Sequence, residues 1–481
     1  MPRAPSLLDV EIDRNSDTPV YRQLAGQLRK AIAAGVLRQG TRLPPTRDLA
    51  RQLQIARNTV VEAYAQLAAG GYLESLGRGG TVVTAASTAK PLPVGGRSDH
   101  SANLLRRLDR TAEAEPPRLD WRLGQAFTSA LPISVWRTAC REAGRHVPPP
   151  DYGDPRGDLR LREAISRWMR RERSTDLSAE TIIVTQGSGH AIEVLARALL
   201  RQGDVCAVEE PGYARAARAF ASAGARVFGV PVDRQGVAVE QAFQGGGCPD
   251  LFHITPAHQY PLGGRLAGYR RRLLLDAASR HGTLIVENEY DHEFVHEGQK
   301  HPPLAASDPE HVVLVSTFAK AIAPSFRLGF VTAPALAIEA MASLINRDRL
   351  QASWPVQKIA EWLLRSGELE RHLRRVRRHY SRLRDVICSR LRPWSPKLTV
   401  LGHEGGLHVV LMPEALELSD LLKSRLAAQG VAFDSVADFM LDQRRLPGLI
   451  FSYGHMDEHL VEHSLEVLIA ELTAIGRAHP A

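Results

Sequence analysis

The feature that most constrains this chain is a short stretch in which a lysine follows a buried strand. The apolar run at residues 311–315 predicts the strand, and Thr317, Lys320 and Arg327 lie just beyond its end. Ligands of open α/β sheets bind at the carboxyl ends of the strands. A lysine there can form a Schiff base with an aldehyde once burial favours its neutral amine, while a hydroxyl and a guanidinium can hold a phosphate. The pattern is equally compatible with an exposed lysine after a strand.

The surrounding region, residues 118–481, alternates strand-like and helix-like segments, which predicts an α/β fold with a mostly parallel sheet. Ser188 and Gly189 lie in a small-residue loop between a buried strand and a helix. Such a loop can cradle a phosphate, although many strand-to-helix turns contain glycine. A helical stretch at residues 351–391, followed by further strands, predicts a smaller C-terminal α+β subdomain at about residues 371–481.

Residues 1–86 form a separate predicted unit of three helices and a hairpin. Apolar residues recur at helical spacing from Val20 onward. A second helix is predicted to begin with Thr46 as its N-cap, and a third to begin at Arg57. The glycine-rich residues 77–80 join two short strands. This order predicts a winged helix-turn-helix, mostly α-helical with a β-hairpin wing.

A winged helix-turn-helix binds duplex DNA by placing its recognition helix in the major groove. Arginines at helix starts can meet phosphates, and small polar side chains on the recognition helix can reach base edges. An arginine on the wing tip can enter the minor groove. The candidate DNA-binding residues are Thr46, Arg47, Arg57, Asn58, Thr59 and Arg78. The alternative is a small helical interaction domain with solvated arginines.

Composition limits the partners and the location that we expect. Residues 87–117 are rich in Ala, Ser, Pro, Gly and charged residues, which is typical of a linker. The net charge of +8 favours polyanionic partners. No apolar run is long enough to span a bilayer, and the start lacks the apolar core of a signal peptide. The four cysteines form no metal pattern. We therefore expect a cytoplasmic protein with reduced thiols and no metal or membrane partner.

Two motifs resemble known families. Residues 43–50 followed by 56–60, with the sequences LPPTRDLA and ARNTV, closely resemble GntR-type regulators. Residues 316–329 resemble the lysine loop of fold-type I pyridoxal phosphate (PLP) enzymes, the aspartate aminotransferase superfamily. A GntR winged helix followed by an aminotransferase-like domain is similar to the MocR group, and this resemblance covers nearly the whole chain. It implies a PLP-dependent transferase fold of type I for residues 118–481.

The resemblance also implies roles for single residues in binding PLP. Lys320 corresponds to the Schiff-base lysine, while Thr317, Arg327 and the Ser188–Gly189 backbone correspond to the phosphate-binding groups. By the same resemblance, Tyr213 stacks on the pyridine ring, Tyr290 forms a hydrogen bond with the hydroxyl oxygen of the ring, and Asn288 lies at the ring nitrogen. Tyr152 reaches the phosphate bound to the other subunit of a homodimer. Each tyrosine is also compatible with an ordinary half-buried aromatic, and Ser188 with a helix N-cap.

The chain departs from the aminotransferase pattern in several places. The sequence Asn288-Glu289-Tyr290 replaces the usual Asp-Asp-Tyr, and an amide lacks the charge that pairs with a protonated pyridine nitrogen. Glu289 is expected to face the other side of the strand. No arginine lies at residues 446–451, where aminotransferases bind the substrate carboxylate. Further departures are Ala319 for serine, His190 for glutamine and Leu262 for threonine.

These observations leave three functions open. The first is a transcription regulator that binds an operator as a homodimer and takes PLP, or its adduct with an amino compound, as effector. The second is an active aminotransferase with an attached DNA-binding domain, which needs an electron-withdrawing ring and a carboxylate-binding arginine. The third is a regulator whose aminotransferase-like domain has lost PLP. Retention of Lys320, Thr317 and Arg327 favours the first over the third.

Overall fold

The computed structural model describes residues 10–14, 16–84, 116–244, 248–298, 300–395, 397–442 and 446–478. The chain divides into two compact units, which comprise the described residues up to Thr84 and those from Pro116 onward. Most of the predicted linker lies outside the described residues, so its boundaries at residues 87 and 117 remain predictions.

The N-terminal unit has the three helices and the hairpin that the sequence predicts. They are α1 (Val20–Ala33), α2 (Thr46–Leu53), α3 (Arg57–Ala69) and the antiparallel strands β1 (Leu73–Ser75) and β2 (Thr81–Val83). One apolar cluster joins all of them, with Leu28, Leu49 and Val60 fully buried. One expectation is wrong. Thr46 is the first helical residue rather than the N-cap, because the extended backbone of Pro45 occupies the cap position.

The C-terminal unit is built on an eight-stranded sheet in the order β4-β11-β10-β9-β8-β5-β6-β7. Six of these strands run in one direction, while β11 and the short β7 run against their neighbours. The strands are β4 (Ile182–Thr185), β5 (Val205–Glu210), β6 (Arg226–Asp233), β7 (Gly236–Val237), β8 (Leu251–Ile254), β9 (Leu284–Glu289), β10 (Val312–Thr317) and β11 (Gly329–Thr332). The predicted α/β fold with a mostly parallel sheet is confirmed.

Helices cover both faces of this sheet. Side chains of β10 alternate between two apolar clusters: Val312 and Leu314 belong to one, Val313 and Val315 to the other. This alternation explains why a strand buried on both faces shows a continuous apolar run. The helices of this region are α4 (Ile133–Ala143), α5 (Leu159–Arg173), α6 (Ser188–Leu199), α7 (Ala214–Ser222), α8 (Val239–Ala242), α9 (Gly268–His281), α10 (Ala335–Asp348) and α11 (Trp354–Arg365).

A smaller α+β region follows, as expected. Its antiparallel sheet has the order β12-β13-β15, and β14 pairs with the early strand β3. Its elements are β3 (Leu119–Asp120), α12 (Glu368–Leu391), β12 (Leu398–Leu401), β13 (His408–Pro413), α13 (Leu416–Ala428), β14 (Val431–Ala432), β15 (Leu449–Ser452) and α14 (Glu458–Ala478). The predicted helical stretch at residues 351–391 is two helices, because Gly367 takes a left-handed conformation (φ 73°) between them.

Within the described ranges, no helix is long and apolar enough to cross a membrane, and no group of three His, Cys, Asp or Glu side chains could hold a metal ion. The four cysteines are unpaired.

Buried ionisable groups make the stability of the C-terminal unit depend on pH. Burial raises the pKa of Glu209 from 4.5 to about 7, although two hydrogen bonds from Thr255 oppose this change. Between about pH 4.5 and 7, Glu209 therefore keeps a proton in the folded state that it has lost in the unfolded state. As pH rises through this range, Glu209 lowers the free energy of unfolding. Burial lowers the pKa of His253 and His408 from 6.5 to about 4, so these rings stay neutral in the folded state. Their effect is opposite to that of Glu209, because they raise the free energy of unfolding as pH rises from about 4 to 6.5.

The contribution of Glu209 is isolated by comparing wild type with Glu209→Gln at each pH. We expect the variant to gain stability relative to wild type as pH rises from about 5 to 8, by on the order of 2–3 kcal/mol. All six tryptophans lie in the C-terminal unit, so their fluorescence during urea unfolding reports on this unit alone. Glu339→Gln, at an exposed position on α10, is the matched control. A constant difference between wild type and Glu209→Gln across this pH range would contradict the prediction.

Candidate functional site

A cavity of about 440 Å³ opens at the carboxyl ends of β4, β9 and β10 in the C-terminal unit. The strand register explains why these ends meet, since Thr317 pairs with Gly329 and Gly329 pairs with Thr185. Eight residues predicted from the sequence line this one cavity: Ser188, Gly189, Tyr213, Asn288, Tyr290, Thr317, Lys320 and Arg327. The ninth, Tyr152, does not. Its ring is 63 % exposed, and the Arg349 guanidinium lies 4.7 Å from the ring centroid.

Lys320 is held at the cavity by the turn that follows β10. Phe318 and Ala321, on either side of it, are buried and fix the backbone. Its Nζ donates a hydrogen bond to the carbonyl oxygen of Gln125 at 3.3 Å. Burial lowers the pKa of Lys320 to about 8, although the charge of Asp291 raises it in part. A much larger fraction of this amine is therefore neutral at physiological pH than for an exposed lysine, and a neutral amine is a nucleophile.

Donors for an anion gather at another part of the cavity. Helix α6 begins at Ser188 after Gly187, whose φ of 92° suits glycine, and no side chain caps this helix. Its first N–H groups are thus available to an anion. Thr317 and Arg327 line the same cavity, as does Arg215, which pairs with Glu193 at 2.9 Å. A hydroxyl, free backbone N–H groups and guanidinium groups together form a suitable phosphate site.

Three tyrosines form an aromatic wall. The ring of Tyr260 makes edge contacts with Tyr213 (centroids 5.5 Å apart) and with Tyr290 (5.2 Å). The Tyr290 hydroxyl lies 3.0 Å from Nδ1 of His258, and that nitrogen lies 2.8 Å from the carboxylate of Asp291. Burial raises the pKa of Tyr290 well above its ordinary value, so the phenol remains protonated and can donate a hydrogen bond.

Asn288 has an unsatisfied acceptor at the cavity. The residue is 3 % exposed, and its Oδ1 atom has no hydrogen-bond partner among the described residues. Its neighbour Glu289 faces the opposite side of the sheet, as strand alternation predicts. Both oxygens of Glu289 bond to Arg173, at 2.5 and 2.7 Å. Glu289 therefore does not supply the charge that Asn288 lacks.

Sequence reasoning missed a large part of the cavity wall. The additional lining residues with polar side chains are Gln125, Gln186, Arg215, Tyr260, His408, Asp434 and Ser452. Tyr260 follows a strand end and could have been proposed on that ground. Asp434 and Ser452 come from the smaller α+β region, where no local motif marks them, so only the fold brings them to the site.

The N-terminal unit presents a second candidate site at the starts of α2 and α3. Arg47, Arg57 and Asn58 are exposed, while Thr46 and Thr59 are partly buried. Neither helix has a side-chain cap, so the N–H groups of its first two residues remain available to an anion, while the third already donates to a backbone carbonyl. Neither Arg47 nor Arg57 has an ion-pair partner within the described part of the chain. The side chain of Arg78 lies outside the described residues.

Two family matches cover the two units. Residues 20–83 match the bacterial regulatory proteins of the gntR family, and residues 121–466 match aminotransferase class I and II. Among solved structures, a multiple substrate aminotransferase from Thermococcus profundus is 24% identical (TM-score 0.68, covering 79% of this chain and 97% of that one). An alpha-aminoadipate aminotransferase from Thermus thermophilus, complexed with N-(5'-phosphopyridoxyl)-L-leucine, is 22% identical (TM-score 0.68, covering 75% and 93%). These structures show the fold.

Two regulators match over nearly their full length. The probable rhizopine catabolism regulatory protein MocR of Rhizobium meliloti is 32% identical over 96% of both chains. The HTH-type pyridoxine biosynthesis transcriptional regulator PdxR of Corynebacterium glutamicum is 31% identical over 97% of this chain and 98% of the relative. The chain therefore belongs to the MocR-type regulators of the GntR family, transcription regulators that join a DNA-binding winged helix to an aminotransferase-like domain.

Proposed function

We propose that the cavity of the C-terminal unit binds PLP, or its adduct with an amino compound, and that this ligand controls operator binding by a homodimer. The observation that carries the proposal is the meeting, in one cavity, of a lysine with a lowered pKa and a set of phosphate donors. Either feature alone is common. Together they match an aldehyde and a phosphate on one small molecule.

The cavity residues fit this cofactor. Lys320 would bond to the aldehyde carbon, and Thr317, Arg327 and the start of α6 at Ser188 and Gly189 would hold the phosphate. Tyr213 would stack on the pyridine ring, and Tyr290 would donate to the ring hydroxyl oxygen. Bound PLP supplies an electrophilic carbon that captures amines. Tyr152 would contribute to the partner's site.

Asn288 favours a ligand-binding role over transamination. Its amide NH2 group would donate a hydrogen bond to an unprotonated ring nitrogen of the bound cofactor. An amide brings no negative charge, however, so it does not hold the ring nitrogen in the protonated form that withdraws electrons from the substrate. Among the described lining residues, the arginines are Arg215 and Arg327, and both fit the phosphate donors. No separate arginine is left for a substrate carboxylate.

A homodimer would connect the cavity to DNA. Several large apolar side chains of the C-terminal unit are exposed: Ile133 (62 %), Val147 (88 %), Leu159 (47 %) and Leu336 (80 %). Burying such side chains favours association of a second copy. A ligand that prefers one arrangement of the dimer would favour that arrangement and so change the spacing of the two winged helices. The resulting change in DNA affinity can be no larger than the ligand's free-energy preference for that arrangement.

Covalent capture of PLP is the direct test. We expect wild-type protein titrated with PLP to show a saturable visible absorption band, and borohydride reduction to fix the label on Lys320. Lys320→Ala should lose both. Lys300→Ala is the matched control, because burial also lowers the pKa of Lys300 while that side chain does not line the cavity. It should keep the band.

The outcomes separate the three functions. No band in a folded wild-type protein would reject the cofactor and favour a regulator whose domain has lost PLP. A band with rapid formation of a keto acid from an amino acid would favour an active aminotransferase. A band without turnover, combined with a change in DNA binding on addition of PLP, supports the proposal.

A further inference from the structure

Among the described residues that line the cavity, the one carboxylate is that of Asp434, in the smaller α+β region. Asp434 follows β14 and is tied to β15, because the Ile450 N–H donates to its carbonyl oxygen at 2.9 Å. Its side-chain Oδ2 accepts a hydrogen bond from the backbone N–H of Leu123 at 2.7 Å. Both ends of the residue are therefore fixed, and the carboxylate lines the cavity together with Leu123. The wall formed by Lys320, Arg327 and the start of α6 belongs instead to the large sheet and its connections.

Asp434 forms no ion pair within the part of the chain that the structure describes. The charge of Arg122 lowers the pKa of Asp434 in part, but the Arg122 guanidinium is already bound by Asp120 through bonds of 2.8 and 2.7 Å. Oδ1 of Asp434 has no hydrogen-bond partner among the described residues. Burial raises the pKa of Asp434, which is the direction expected for a carboxylate that lacks a countercharge.

The neighbouring cavity groups do not compensate for this charge. Lys320 bonds to the carbonyl of Gln125, and Arg215 is paired with Glu193. His408 also lines the cavity, but burial lowers its pKa to about 4, so its ring is neutral. A ligand with a carboxylate near Asp434 would place two like charges close together, while the cations described at the cavity, Lys320, Arg215 and Arg327, are those assigned to the cofactor. A ligand with an ammonium group there would gain a charge-assisted hydrogen bond.

We infer that the effector of this regulator is an amine with a second cationic group and without a carboxylate, and that Asp434 selects it. This inference rests on the proposed function, in which the first amine of the effector meets the cofactor at Lys320. The second cation then bonds to the free oxygen of Asp434. The class is that of aliphatic diamines and related dications, whereas aminotransferase substrates carry a carboxylate.

Three compounds of the same chain length test the selection: 1,4-diaminobutane, butylamine and 4-aminobutanoic acid. Each is titrated by calorimetry into the full-length protein, once with PLP and once without it. We expect the diamine to bind about tenfold more tightly than the monoamine, because its second ammonium group forms a charge-assisted hydrogen bond with Asp434. The amino acid should bind most weakly.

Asp434→Asn keeps an acceptor for the Leu123 N–H and removes the charge. We expect it to abolish the preference for the diamine without a similar loss for butylamine. Asp438→Asn is the matched control: it removes a nearby exposed charge that contributes to the pKa of Asp434 but does not line the cavity, so the preference should remain.

Failure of this inference differs from failure of the proposed function. If PLP gives no absorption band, the cofactor proposal fails, and the titrations without PLP still measure whether Asp434 selects a dication. Equal affinities for the three compounds in wild type, a preference for the amino acid, or no binding of any compound to either form would overturn the inference. A diamine preference that survives in Asp434→Asn would overturn the role of this residue.

Discussion

Arg173→Met is expected to lower the free energy of unfolding of the C-terminal unit by about 3–5 kcal/mol, the usual cost of removing one partner from a buried ion pair. The side chains of Arg173 and Glu289 are 2 % and 1 % exposed. Two hydrogen bonds join them, and Arg173 also donates to the carbonyl of His301 at 3.2 Å. The substitution fills a similar volume but leaves the Glu289 carboxylate buried without a cation.

The surroundings of this pair increase the expected loss. Burial already raises the pKa of both Glu287 and Glu293 to about 7, and the charge of Arg173 lowers that of Glu293 in part. Without Arg173, Glu293 keeps only the influence of the half-buried cations Lys300 and Arg377. Glu289 also lies between Asn288 and Tyr290, so the pair fixes the strand end that carries two cavity residues. Weaker PLP binding should therefore accompany the loss of stability.

Urea unfolding followed by tryptophan fluorescence measures this effect, since all the tryptophans lie in the C-terminal unit. Arg170→Met is the matched control on the same helix, because Arg170 pairs with Asp176 at the surface and such pairs contribute about 0–1 kcal/mol. The double variant Arg173→Met/Glu289→Met should recover most of the loss, because no buried charge is then left unpaired. A loss below about 1 kcal/mol for Arg173→Met would contradict the argument.

The ion pair also shows what sequence reasoning could not reach. Arg173 and Glu289 are 116 residues apart, and nothing distinguishes this arginine in a chain with 61 lysines and arginines. The local sequence around Asn288 was sufficient to predict that Glu289 faces away, because alternation along a strand needs no knowledge of the rest of the fold. Its partner could be identified only once α5 had been placed against the sheet.

The same distinction applies to the cavity. Thr317 is the last residue of β10, and Lys320 and Ser188 follow strand ends. In a parallel sheet such ends lie at one edge, so sequence reasoning placed these residues together. Asp434 was missed because its position depends on how the smaller α+β region packs against the large sheet. The break at Gly367 was missed because the apolar spacing continues through it. The role predicted for Tyr152 requires a second subunit, so it stays a prediction.

Loss of the two arginines at the helix starts of the N-terminal unit should have the largest effect on DNA binding. Arg47 and Arg57 are exposed, lie at uncapped helix starts and have no ion-pair partner in the described part of the chain. Each is expected to neutralise one phosphate and to release its counterions. We expect Arg47→Ala/Arg57→Ala to weaken binding to a random-sequence duplex near 0.1 M salt by about sixty-fold for each winged helix that engages the duplex, which follows from a slope of about 0.9 per contact.

The salt dependence separates this mechanism from a general loss of folding. In fluorescence anisotropy, the slope of log affinity against log salt should fall by about two for each winged helix that engages the duplex. Arg51→Ala is the matched control, because Arg51 lies in the last turn of α2 and pairs with Asp48 at 3.5 Å. It should change the slope little. If the double variant loses affinity while its slope stays that of wild type, the arginines support the fold of the winged helix rather than contact phosphates. The DNA-facing surface would then have to be sought on another face of this unit.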